Sequence, residues 1–176
     1  MRAVVESIEA EFRRYKAIGE GAMRQLSDAQ LVAHAGEENL SVATLVRHLA
    51  GNLTSRFTDF LTTDGEKPWR DRDGEFVAVE IGRDELEGIW RAGWEVLLGA
   101  LRELDDGHLE RSVSIRGVPL TVNAALHRSL AHASYHVGQM VYVAKSLRGD
   151  DWQWLSIPPG GSLEYNKNPT REKAPS

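Results

Sequence analysis

Apolar residues recur every three or four positions in four stretches of the chain, and this spacing predicts four amphipathic helices. Proline interrupts helix interiors, and all six prolines lie outside these stretches. Four such helices with little predicted strand favour an all-α fold, an antiparallel four-helix bundle. The predicted helices cover about residues 2–26, 42–61, 83–104 and 122–147.

Residues with capping chemistry mark the ends of two of these helices. Ser41 and Thr121 stand where the second and fourth helices begin, and their side-chain oxygens can accept hydrogen bonds from free backbone N–H groups. Asp64 and Gly65 are predicted to end the second helix, and Gly149 stands just past the fourth.

Two connecting segments differ in character. Residues 108–120 alternate apolar and polar positions around Arg116 and Gly117, which predicts a short hairpin. Residues 64–76 are polar and charged, and they contain Trp69. This segment is predicted to be a loop.

The tail after Gly149 is too apolar to remain in water, and we expect it to pack on the helices as far as about Asn168. The chain is therefore predicted to form a single domain over residues 1–168, with a frayed end over residues 169–176. The apolar residues of the tail are Trp152, Trp154, Leu155, Ile157, Leu163 and Tyr165.

Composition excludes several classes of protein. The chain has 41% hydrophobic and 27% charged residues, a net charge of −5 and no cysteine, so disulfides and thiolate chemistry of its own are excluded. We expect a cytoplasmic protein, because no stretch is apolar enough for a membrane span and none resembles a signal peptide. Nucleic acid is not an expected partner, because no basic stripe is found.

A pair of histidines, His132 and His136, is the strongest chemical signal. Four residues apart on a helix, they point the same way one turn apart, and His48 lies at the margin of the apolar stripe of the second helix. Three imidazoles offer a metal face with open coordination positions, typical of a catalytic site. Three close imidazoles resist protonation, and a divalent ion binds their neutral form.

An alternative without metal stays open, in which each buried imidazole is hydrogen-bonded to Asn52, Gln139 or a backbone carbonyl. Asn52 and Gln139 can equally orient a ligand or a water beside a metal. Trp69, Arg70 and Arg72 are expected either to line the mouth of the site or to form surface salt bridges. No general base is identified.

The other three histidines fit the site less well. His127 lies about 140° from His132 and about 180° from His136 around the helix, so it faces elsewhere. His34 and His108 fall in predicted loops, where we expect them to be solvated.

Several segments together resemble the DinB-like superfamily, and in particular a branch of it without an assigned reaction. They are HLAGN at 48–52, HASYHVGQ at 132–139, TDFLTTDGEKPWRDRD at 58–73 and WLSIPPGGS at 154–162.

The resemblance implies a four-helix bundle, a homodimer and a divalent metal ion (zinc, nickel, manganese or iron) on His48, His132 and His136. Better characterised relatives include metal-dependent transferases that use bacillithiol or mycothiol, so a low-molecular-weight thiol is an implied cofactor. The predicted function is a metal-dependent transferase or hydrolase of a small-molecule substrate. The alternative is a noncatalytic dimeric bundle that binds a metal or ligand as a sensor or store.

The homodimer is predicted to use helix faces outside the core. Trp90 and Trp94 lie about 40° apart on the third helix. One is expected to serve the core and the other an interface, unless a single large core uses both.

Overall fold

The computed structural model describes residues 1–34, 40–170 and 172, and within them the chain is mostly helical. Four of the helices are long and pack around one apolar core. The helices are α1 (Ala3–Arg24), α2 (Asp28–Val32), α3 (Val42–Phe57), α4 (Arg83–Arg102), α5 (Val122–Arg148) and α6 (Ser162–Tyr165). The strands are β1 (Ser112–Ile115) and β2 (Val118–Thr121).

The predicted all-α class, the positions of the long helices and their N-caps are confirmed. Ser41 accepts the backbone N–H of Thr44 at 3.0 Å, and Thr121 accepts that of Ala124 at 3.1 Å. These bonds satisfy backbone donors that have no partner within the helix. None of the helices described in the structure is both long and apolar enough to cross a membrane.

The predicted end of α3 is wrong. The helix stops at Phe57, because Thr58 is extended and Asp59 takes a positive φ of 51°, which turns the chain. Phe60 nevertheless reaches the core, where it is 9% exposed. An apolar residue that continues the helical spacing therefore packs from a turn, and the spacing alone extended the predicted helix too far.

The core shows how α4 uses its tryptophans. In the structure α3 packs closely on α4, α1 packs on α5, and α3 also contacts α5. Trp90 and Trp94 are 2% and 0% exposed, with their ring centroids 5.3 Å apart. Of the two alternatives, the one in which a single core uses both tryptophans is confirmed, and neither faces an interface. The homodimer itself stays a prediction.

The predicted hairpin is confirmed. Strands β1 and β2 pair antiparallel, and the two turn residues, Arg116 and Gly117, have φ of 56° and 72°. Asp64 accepts hydrogen bonds from both of these backbone N–H groups and from the Ser114 hydroxyl. Backbone hydrogen bonds from Glu66 and Gly117 hold the pKa of Asp64 far below its usual range. The loop after α3 is thereby tied to the hairpin tip.

The first part of the tail packs on the helices as predicted. Trp152 is 9% exposed in the core, and Leu155 packs against that core. Gln25 closes the contact, because its side chain donates to the carbonyl of Gln153 at 2.9 Å and accepts its N–H at 2.8 Å.

The rest of the tail packs less than expected. Trp154 is 44% exposed, with the Lys145 ammonium 4.0 Å from its ring centroid, and Leu163 is 83% exposed. The predicted fraying over 169–176 falls mostly outside the described residues, and the boundary of the domain at 168 stays a prediction.

Candidate metal centre

The structure brings the three predicted histidines together where α3 meets α5. One ring nitrogen from each of His48, His132 and His136 lies within 4.8 Å of the others. The Nε2 atoms of His48 and His132 are 3.3 Å apart. Two nitrogens bound to one tetrahedral zinc ion are about 3.4 Å apart, given zinc–nitrogen bonds of about 2.1 Å. The spacing of this pair therefore suits ligands of a common ion.

His48 is held in one tautomer by a carboxylate that sequence analysis missed. Its ring is 3% exposed, and its Nδ1 lies 2.9 Å from Oε2 of Glu75. A carboxylate only accepts, so Nδ1 carries the hydrogen and donates it. The lone pair of His48 is then on Nε2, the nitrogen that faces His132. This carboxylate–histidine arrangement is the usual support of a metal ligand.

Glu75 is itself fixed by a buried arginine. Nε and Nη2 of Arg70 donate to its two carboxylate oxygens at 2.8 and 2.9 Å, and the Arg70 side chain is 2% exposed. Burial opposes ionisation, but the hydrogen bonds from His48 and Arg70 outweigh it and lower the pKa of Glu75. Glu75 can approach α3 because residue 51 is glycine: a Cβ at Gly51 would lie 2.1 Å from its Oε1.

The loop that carries Glu75 is anchored to α3 by an arginine. Arg47 donates to the backbone carbonyls of Gly74 and Val77 at 2.7 and 2.6 Å. Asp71 accepts the N–H of Gly74 at 3.0 Å, at the start of a 3₁₀ turn over Gly74–Phe76. These contacts explain how a residue from a charged loop reaches the interior.

The α5 histidines have weaker support. Nδ1 of His136 lies 2.8 Å from Oε1 of Gln139, an acceptor, so this nitrogen carries the hydrogen and Nε2 the lone pair. The Tyr135 ring packs edge-on against His136, with the ring centroids 4.9 Å apart. Nδ1 of His132 is buried and has no hydrogen-bond partner among the described residues. Asn52 and Gln139 were the two side chains predicted to bond an imidazole. Among the described residues only Gln139 does so.

Both α5 imidazoles are held in the neutral form that binds metals. Burial, followed by the charges of His136 and His48, lowers the pKa of His132 to about 3. Burial and the charge of His48 also lower the pKa of His136, against the hydrogen bond that His136 donates to Gln139, which raises it. Protonation of the cluster is therefore unfavourable near neutral pH.

A cavity of about 360 Å³ opens above the three histidines. Asn52, one turn beyond His48, lines it and is 8% exposed, and its side chain makes no hydrogen bond to the described residues. Arg70 and Arg72 also line the cavity, as one of the two expectations had it, whereas Trp69 is 57% exposed and does not. Arg70 also forms the buried ion pair with Glu75 rather than a surface salt bridge.

The remaining histidines lie apart from this cluster. His127 is exposed and its Nδ1 bonds the carbonyl of Asn123 at 2.9 Å, as its helical phase predicts. His34 is exposed as expected. His108 is half-buried and bonded to Asp105 at 2.8 Å, so it is less solvated than expected.

Several residues of the site were missed by sequence analysis. Arg128 precedes His132 by four residues, so helical spacing could have placed it on the same face. Tyr135 adjoins His136 in the chain, which was also a usable signal. The sequence contains no comparable signal for Glu75, because the spacing of residues in a charged loop does not show which of them turns inward.

Comparison with known proteins identifies a family and no activity. The chain has no significant match among curated proteins, and none among solved structures. A model of the family DUF1572, described as a protein of unknown function, matches residues 1–161, which include the three histidines and Glu75. The chain therefore belongs to the DUF1572 family.

Proposed function

We propose that this chain is a divalent-metal-dependent enzyme with the four-helix bundle of the DinB-like superfamily, and that it transfers a small thiol to an electrophilic substrate. One observation carries the proposal: three imidazoles from two helices converge beneath a cavity of about 360 Å³. In two of these imidazoles, His48 and His136, the hydrogen is on Nδ1 and bonded to an oxygen acceptor, which leaves the lone pair on Nε2.

The fold supports the bundle part of the proposal. In the described residues four long helices share one core, and the site lies between two of them, as metal sites in helical bundles do. The segments around His48 and His132 resemble DinB-like proteins, and that resemblance also underlies the proposed homodimer.

The donor set suits a borderline divalent ion such as zinc, nickel or iron, because it offers imidazole nitrogens and no sulfur. Manganese, a harder ion, is proposed only on the family resemblance. Such an ion, when bound, lowers the pKa of a thiol or water in an open coordination position. Among the described residues no fourth side chain joins the three histidines as a ligand. This open arrangement favours catalysis over a closed storage site.

The chain's own residues would bind and orient the reactants. The sulfur nucleophile comes from a small thiol, because the chain has no cysteine. In the transfer the thiol releases its proton to solvent and its sulfur bonds to the electrophilic carbon. The bond from that carbon to the leaving group breaks, and the leaving group takes both bonding electrons. The Asn52 amide faces the cavity and has no partner among the described residues, so it is available to hold a reactant beside His48.

The test begins with metal analysis of protein purified without nickel resin. Thiol conjugation to electrophiles, and ester and amide hydrolysis, are then assayed with added zinc, nickel, manganese or iron. His132→Ala should abolish bound metal and turnover, because it removes one of three ligands, while the helical circular dichroism is retained. His127→Ala is the matched control, since it alters the same residue type on the exposed side of α5 and should retain both properties.

Activity that survives both chelation and His132→Ala would refute the metal-enzyme proposal. Stoichiometric metal that depends on His132, without activity across the panel, would instead favour a sensor or store.

A further inference from the structure

The cavity above the histidines is lined by positive charge although the chain as a whole is acidic. The net charge of the chain is −5, yet five arginines and no acidic side chain of the described residues line this cavity. The arginines are Arg56, Arg70, Arg72, Arg116 and Arg128. Guanidinium groups stay protonated in proteins, so this charge is permanent.

Nearby carboxylates neutralise part of this charge. The charge of Arg70 is neutralised by its ion pair with Glu75. Arg56 and Arg116 share a single carboxylate, because both bond Oε2 of Glu66, at 3.0 and 3.1 Å. One carboxylate between two guanidinium groups leaves a surplus of one positive charge.

Two further arginines are available to a ligand. The side chain of Arg128 forms no ion pair or hydrogen bond with any residue that the structure describes, and it lies one turn before His132 on α5. Nη1 of Arg72 is 3.5 Å from Oδ1 of Asp73, whose side chain is 97% exposed. Such an exposed ion pair is weak, so it leaves the Arg72 guanidinium able to bind a ligand. The Arg72 guanidinium lies 5.3 Å from the Phe76 ring centroid, and that ring packs against His48 at 4.5 Å.

We infer that the cavity binds a small molecule with an anionic oxygen group, a carboxylate or a phosphate, which Arg128 and Arg72 contact. Guanidinium groups bind both kinds of oxyanion through paired charge-assisted hydrogen bonds. A volume of about 360 Å³ suits a small molecule, whose other end then lies above the histidines. The inference rests on the proposed function, since it names the substrate class of the same site.

Calorimetric titration of the full-length chain, both chelator-treated and zinc-loaded, tests the inference. The anionic probes are succinate and glycerol phosphate, and the neutral controls are succinamide and glycerol. We expect an anion to bind and its neutral counterpart not to bind, and the tighter of the two anions identifies carboxylate or phosphate as the preferred group. Binding should persist without zinc, because the arginines and not the ion make the contacts.

Substitutions then locate the contact. Arg128→Gln should weaken anion binding by roughly tenfold or more, the loss expected for charge-assisted hydrogen bonds. Arg72→Gln should weaken it in the same direction from a different element. Arg102→Gln is the matched control, because Arg102 is exposed on α4 and does not line the cavity. Circular dichroism verifies that each variant is folded.

Equal binding of succinate and succinamide, absence of anion binding, or an equal effect of Arg102→Gln and Arg128→Gln would overturn the inference. Arg128-dependent anion binding by a chain that binds no metal would uphold it and refute the proposed metal enzyme. Metal binding that depends on His132, with no preference for anions, would do the reverse.

Discussion

The two helices that supply the histidines support them by different means. On the α3 side, His48 is 3% exposed and bonded to Glu75, which the buried Arg70 holds through two hydrogen bonds. On the α5 side, His136 has only the neutral amide of Gln139, and His132 Nδ1 has no partner among the described residues. The α3 side is thus positioned by a buried charge network, and the α5 side mainly by helix geometry.

This difference predicts that substitutions on the two sides have different consequences. A buried ion pair that loses one member leaves an uncompensated charge, which is expensive. A half-buried imidazole that loses a neutral hydrogen bond loses much less. Damage to the α3 side should therefore reduce the stability of the whole chain, whereas damage to the α5 side should reduce ligand binding.

The largest expected effect is on stability. Glu75→Ala should lower the free energy of unfolding by about 3 kcal/mol, because it leaves the buried Arg70 guanidinium unpaired. Gln139→Ala is the control on the other side and should cost less than about 1 kcal/mol. Denaturant unfolding of the metal-free variants measures both values. Equal losses would show that the two sides are supported alike.

The next effect concerns metal affinity. Glu75→Gln keeps the shape of the side chain but removes the negative charge of the group that accepts the hydrogen bond from His48. It should therefore weaken zinc binding by roughly 10- to 100-fold. Gln139→Ala should weaken zinc binding by less than roughly tenfold, because the hydrogen bond between His136 and the Gln139 side-chain amide involves no charged acceptor. Competition with a chromophoric chelator gives both affinities, and the reverse order would contradict the comparison.

The smallest effect is a pH dependence on the α5 side. The pKa of His132 falls from 6.5 in the unfolded chain to about 3 in the folded one, mainly through burial. Between these pH values the unfolded state binds more protons, so the stability of the metal-free chain should decline as pH falls below about 6.5, by at most about 1.4 kcal/mol per pH unit. Above that pH both states hold His132 neutral, and it contributes no slope.

Unfolding measured at about pH 5 to 6.5 separates the histidines from the carboxylates, which titrate at lower pH. His132→Leu should reduce the slope in this window, and the slope that remains is expected from His136, whose pKa burial also lowers. His127→Leu, on the exposed side of the same helix, should leave it unchanged. A slope that is the same in the wild type and in both variants would show that His132 is not the group responsible.

Local spacing was enough to predict much of the molecule. The phase of His132 and His136 on α5, the caps Ser41 and Thr121, and the outward direction of His127 all follow from helical geometry over a few residues. The same reasoning failed at the end of α3, because Phe60 fits the helical spacing yet enters the core from a turn.

Apolar character alone also predicted more burial in the tail than the structure contains. Trp152 is buried, but Trp154, two residues later, is 44% exposed beneath Lys145. Composition shows that a segment contains side chains suited to a core. It does not show which of them meets free space on the helices, because that depends on contacts such as the Gln25–Gln153 pair.

By itself the sequence determined the apolar stripe of each long helix, and so which three imidazoles were candidates for one site, but not that both Trp90 and Trp94 face the core. Only the tertiary structure decided that Glu75 supports His48 and that five arginines share one cavity. The physical reason is the range of the interactions. Side-chain direction on a helix repeats every few residues, whereas the loop that carries Glu75 is placed by long-range contacts, such as those of Arg47 with the Gly74 carbonyl.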